Sequence, residues 1–173
     1  CASWYHICVG IDLSSGGNSQ AKVKLFVNGG AQETDLAINN TMVDTHSLIS
    51  TQNSHTIGVS SYATSSYADL YLAEVHFVGG SQLDPTSFTE TKNGILIPKF
   101  YTGSHGTNGF YLKFNQIGSG TASSSTMGAD SSGNDNHFTQ SNVNPIDSNL
   151  PDSPTNKFCV MNQLRNYGGG TLQ

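Results

Sequence analysis

Short runs of apolar residues at alternate positions recur along this chain, each cut off by a cluster of glycine and small polar residues. No window of 11–18 residues repeats its apolar side chains at helical spacing. Tyr5, Ile7, Val9 and Ile11 alternate with Trp4, His6, Cys8 and Gly10, the period that a pleated strand imposes, so residues 4–11 are predicted as a strand. The DLSSGGNSQ run at 12–20 reads as a loop, after which Val23, Leu25 and Val27 alternate again with Lys22, Lys24 and Phe26. Asn28-Gly29 fits a type I′ turn, which needs positive φ at both central residues, and predicts an antiparallel return over 31–36. His55, Ile57 and Val59 mark a short strand before a loop from Ser60 to Asp69. Residues 70–78 carry large apolar side chains on both faces, which predicts a central strand between two layers. Asp84-Pro85 opens a turn or one short helical turn, and Phe110, Leu112 and Phe114 mark a further strand. Residues 116–136 and 139–156 read as ordered loops or a linker arm rather than core. Short strands, turn clusters and no helix predict an all-β antiparallel sandwich.

The composition excludes several classes. With 19 glycines, 23 serines, 16 threonines and 16 asparagines among 173 residues, a helical bundle or coiled coil is ruled out, because those need runs rich in Ala, Glu, Lys and Leu. Seven scattered Lys and Arg against twelve Asp and Glu cannot neutralise a phosphate backbone, so no nucleic-acid partner is expected. The longest apolar runs, such as Ile95–Pro98, fall far short of a membrane-spanning segment, and membrane insertion is not expected either. Cys1, Cys8 and Cys159 are odd in number and lack C-x-x-C spacing, which favours reduced thiols over a disulfide framework. The first residue leads straight into a strand, and the chain is expected to be a piece of a longer polypeptide.

WYHICVGIDLSSGGNSQAKVKLFVNGG (4–30), followed by SYADLYLAEVHFVGGSQLDPTSF (66–88), resembles the second half of a laminin-G-like or concanavalin-A-like jelly roll. Trp4, His6, Asp12, Val27-Asn28-Gly29 and Ala73-Glu74-Val75 carry the likeness. IPKFYTGSHGTNGFYLKF (97–114), DSSGNDNHFT (130–139) and LPDSPTNKFCVMN (150–162) are similar to an extension in tail-fibre and related virion proteins of bacteriophages. The resemblance implies a jelly-roll β-sandwich whose C-terminal half occupies residues 1–90, with a loop-rich extension or linker over 91–173. The family's first strands would precede Trp4, which leaves an edge for another chain or segment to cover.

Asp130, Asn134, Asp135 and Asn136 fall within one tight turn, an oxygen-rich cluster that would suit Ca²⁺, and the competing reading is a turn held by Asx side chains bonding their own backbone. No two of the six histidines stand at a metal-ligand spacing, and His6 and His76 are expected as hydrogen-bonded structural residues facing each other across the sandwich. Glycan hydrolysis needs paired carboxylates, whereas Glu74 is alone on its strand face and is expected to pair with loop backbone or a basic residue. No enzyme is therefore expected, and no cofactor beyond the Ca²⁺ candidate. Tyr62 and Tyr67 sit in a Ser-rich rim loop of the composition found in adaptable recognition surfaces, and they are the candidate ligand-binding residues.

Taken with the resemblance, these features lead to the expectation of a non-enzymatic virion component outside the cell. It would be a tail-fibre segment aiding attachment to a bacterial surface glycan or protein, self-associating as a homotrimer and contacting other virion proteins. A purely structural filament or capsid-decoration subunit, and a carbohydrate-binding module of a secreted protein, are the alternatives.

Overall fold

The computed structural model describes residues 4–12, 21–38, 55–60 and 63–143. Alternation over the first segment produces β1 (Ile7–Asp12), which pairs antiparallel with β2 (Ala21–Val27) from Ile7↔Val27 to Asp12↔Lys22. At the tip, Asn28 and Gly29 both have positive φ, 50° and 78°, the type I′ geometry read from the sequence, and β3 (Gly30–Ile38) returns along β2. The order β1-β2-β3 is the expected meander. Its register is interrupted between Val23 and Phe26, where irregular pairing lets β3 slip against β2.

Beyond the meander the strands are short and paired in twos. The short strand expected over residues 55–59 is reduced to β4 (Val59–Ser60), which pairs with β5 (Ala63–Tyr67) inside the stretch expected to be a loop. The anticipated long central strand over 70–78 is reduced to β6 (Val75–Phe77), because Glu74 takes φ 54° and breaks the extended run. A single turn of 3₁₀ helix at Pro85–Ser87 follows Asp84, as Asp84-Pro85 suggested. β7 (Thr89–Lys92) and β8 (Ile95–Pro98) then form a hairpin around Asn93-Gly94, with φ 51° and 78°, a second copy of the Asn28-Gly29 turn. β9 (Phe110–Leu112) closes the series and pairs antiparallel with β6, so strands on either side of residue 90 share one ladder.

The described residues are thus all-β apart from the 3₁₀ turn, in four antiparallel sheets of three, two, two and two strands. The core lies around β9. Phe110, Tyr111 and Leu112 are buried, Leu112 at 1% exposure, and Met127 and Ala129 join them. Thr126–Asp130 is buried throughout, although this stretch reads as a loop or linker in the sequence. It is irregular in backbone, as expected, yet it packs as core. Gly128 lies against the Phe138 carbonyl so closely that a Cβ there would collide with it. Among the described residues no helix is long and apolar enough to cross a membrane.

Candidate functional site

A cavity of about 600 Å³ opens beside β1 and β8, lined by Trp4, Tyr5, His6, Tyr71, Glu74, His76 and Lys99 among others. The approach to β1 supplies Trp4–His6, and Asn28 fixes that approach through a hydrogen bond from the His6 amide to its Oδ1, at 2.9 Å. Glu74 is thrown out of the strand line by its left-handed backbone, and its carboxylate accepts a short hydrogen bond from the Tyr111 hydroxyl. Among the described residues Glu74 is the one carboxylate lining the cavity. Its partner is a phenol rather than the loop backbone or basic residue anticipated. Burial and the Glu74 carboxylate both raise the Tyr111 pKa, so the phenol keeps its proton.

An aromatic stack backs this wall. The His76 ring lies parallel to Tyr111 at 4.0 Å between centroids, and Phe88 and Tyr101 approach His76 at 5.2 and 6.2 Å. His76 Nδ1 and His105 Nε2 are 3.1 Å apart with the rings nearly coplanar, a hydrogen bond in which one imidazole donates and the other accepts. The partner of His76 is therefore His105, supplied by the Gly/Ser/Thr loop, and not His6. Burial first, then the neighbouring His105 and His6, hold the His76 pKa down at about 4. His105 is lowered by burial despite the pull of Asp130, and His6 is lowered by burial alone. The Nδ1 of His6 is buried with no hydrogen-bond partner among the described residues. The site thus offers aromatic faces, an amide, one engaged carboxylate and neutral imidazoles, a set suited to holding a ligand by stacking and hydrogen bonding.

The structure brings Asp130, Asn134, Asp135 and Asn136 together in one turn, where three of them are spent on the protein's own backbone. Asp130 Oδ1 accepts from the amides of Tyr111 and Ser132, and Oδ2 accepts from the Ser132 hydroxyl and the Asn136 amide, at 2.8–3.0 Å. Burial opposes this charge, yet the hydrogen bonds outweigh it and keep the Asp130 pKa below the usual carboxylate range. Asn134 Nδ2 donates to the carbonyls of Gly106 and Gly109, and Asn136 Nδ2 to those of Thr107 and Gly109. Asp135 is exposed, 3.7 Å from His137. The turn ties the His105 loop to β9, and a cation seated on Asp130 would have to displace these donors. Among the described residues no group of three or more His, Cys, Asp or Glu side chains is placed to hold a metal ion.

Tyr67 ends β5 with 64% exposure, whereas Tyr62 lies outside the described residues. Cys8 is a free, buried thiol whose pKa is raised by burial and by Asp84; Cys1 and Cys159 lie outside the described residues. Sequence reasoning missed the cavity, the His76–His105 pair and the Tyr111–Glu74 contact. Only the Asn93-Gly94 turn, which places β8 on the cavity wall, carried a signal that could have been read in advance. Comparison with family models, with curated proteins and with solved structures finds no match.

Proposed function

We propose that this chain is a non-enzymatic structural component of a bacteriophage virion, a tail-fibre segment that aids attachment to the bacterial surface by binding glycan or protein. In this reading residues 1–90 are the C-terminal half of a laminin-G or concanavalin-A-like jelly roll, residues 91–173 are a loop-rich extension, and the chains associate as homotrimers. The virion assignment rests on the resemblance carried by residues 97–114, 130–139 and 150–162, and the observation that supports the binding role is the cavity, where Trp4, Tyr5 and Tyr71 offer rings for stacking and Asn28 and Glu74 offer hydrogen bonds. Two carboxylates flanking a scissile bond are what glycan cleavage needs, and a single engaged one favours binding.

The test is binding of the labelled chain to an array of bacterial surface polysaccharides. Expected is retention that Trp4→Ala and Tyr71→Ala each weaken about tenfold or more with an unchanged far-UV spectrum. A Tyr62→Ala/Tyr67→Ala double variant tests the rim loop separately. Failure to bind any polysaccharide or the intact bacterial surface would move the chain to the second reading, a structural filament or decoration subunit. The observation favouring that second reading is the apolar surface of β1, with Ile7 64% and Val9 54% exposed.

A further inference from the structure

We propose that the outward side chains of β1 and the adjoining rim of the cavity form the surface on which a second copy of this chain docks. The inference rests on the self-association in the reading above and assigns the surface that performs it. Tyr5, Ile7 and Val9 project from alternate positions and are 65%, 64% and 54% exposed. Directly across the ladder stand Val27 and Leu25, opposite Ile7 and Val9, so this face of the strand pair is apolar on both strands. Tyr5 and Ile7 also line the cavity, whose lining adds Tyr71, Leu72 and Ile95 at 55%, 41% and 55% exposure. The six exposed side chains thus belong to one continuous surface.

Its size identifies the class of occupant. Two aromatic and four aliphatic side chains at these exposures present on the order of 600 Å² of apolar surface, at the upper limit of what monomers leave open. A standard interface takes about 800 Å² from each partner, a little over half of it apolar, which is the amount available here. A sugar would use the flat rings of Tyr5 and Tyr71 but gain little from the β-branched Ile7, Val9 and Ile95; those shapes interlock with other protein side chains.

The patch sets no charge against a like chain. The chain carries a formal net charge of −5, so two copies repel wherever their carboxylates meet. The six side chains carry no charge, and copies can meet there without opposing like charges. Among the described residues β1 pairs on one side only, with β2, and its stripe lacks the lysines that usually keep edge strands apart.

Sedimentation velocity on the 173-residue chain over a range of micromolar concentrations tests the proposal. Expected is an assembly of two or more copies that an Ile7→Lys/Val9→Lys variant weakens by more than about thirtyfold in dissociation constant, with unchanged far-UV circular dichroism. Ile95→Lys, in the cavity lining and in a separate hairpin, should dissociate the same assembly and serves if the double variant fails to fold. A wild-type chain that stays monomeric overturns both this inference and the self-association beneath it. An assembly indifferent to folded variants at Ile7, Val9 and Ile95 overturns the surface and leaves the self-association standing.

Discussion

In the β1–β3 meander the backbone is laddered through three strands, yet Tyr5, Ile7 and Val9 stand in solvent. Around Asp130 the chain makes almost no ladder, yet Thr126–Asp130 is buried and Leu112 beside it is the most enclosed large side chain of the described residues. Regular pairing and enclosure have separated. In the second region enclosure is achieved by side chains that act as backbone partners: one carboxylate collects donors from three residues, and two asparagine amides hold the 106–109 carbonyls. A polar sequence can build a core when nearly every buried polar atom finds a partner close at hand.

The largest effect that would break this comparison is at Asp130. Asp130→Ala should cost about 3 kcal/mol in urea denaturation, because it leaves the buried amide of Tyr111 and the part-buried amides of Ser132 and Asn136 without their acceptor. A loss under about 1 kcal/mol would mean that water replaces the carboxylate and that the turn is ornament on a core held elsewhere.

Almost as large is the contrast between Leu112 and Val9. Leu112→Ala should lose about 3 kcal/mol through the cavity it creates, whereas Val9→Ala, measured in dilute solution where chains are apart, should change stability by less than about 0.5 kcal/mol. Equal losses at the two sites would show that the meander face is covered within the chain.

These contrasts also explain what could be read in advance. The meander was legible because strand alternation and the Asn28-Gly29 turn are local signals, and the Asp84-Pro85 turn was legible for the same reason. The strand at 70–78 was overestimated because apolar content cannot reveal that Glu74 leaves the extended region to reach Tyr111. The buried loop was illegible for a deeper reason. Ser, Gly and Asn are the residues of exposed turns, and only the fold decides whether Asn134 and Asn136 meet water or the carbonyls of Gly106 and Gly109. The His76–His105 pair, 29 positions apart, was hidden in the same way.

Acid titration sharpens the comparison from another side. His76 is held at about 4 against an ordinary 6.5, and His6 and His105 are displaced in the same direction. The unfolded chain therefore binds protons that the native state refuses. The contribution is intact above pH 6.5 and is lost as pH falls from there toward 4. The melting temperature should fall over that window, and His76→Phe, which keeps a ring on Tyr111, should flatten the fall. An unchanged slope would place the titrating groups outside this stack.

Trp4 is the only tryptophan of the chain, and it lines the cavity. The molecule therefore carries its own optical probe at the place where ligand and neighbouring chain would compete. Emission from that indole has a single origin, so a change in its colour or its quenching by iodide reports events at this wall without any label. Titrating the chain against itself and then against polysaccharide, with the same signal followed in both, would show whether the two occupants exclude each other.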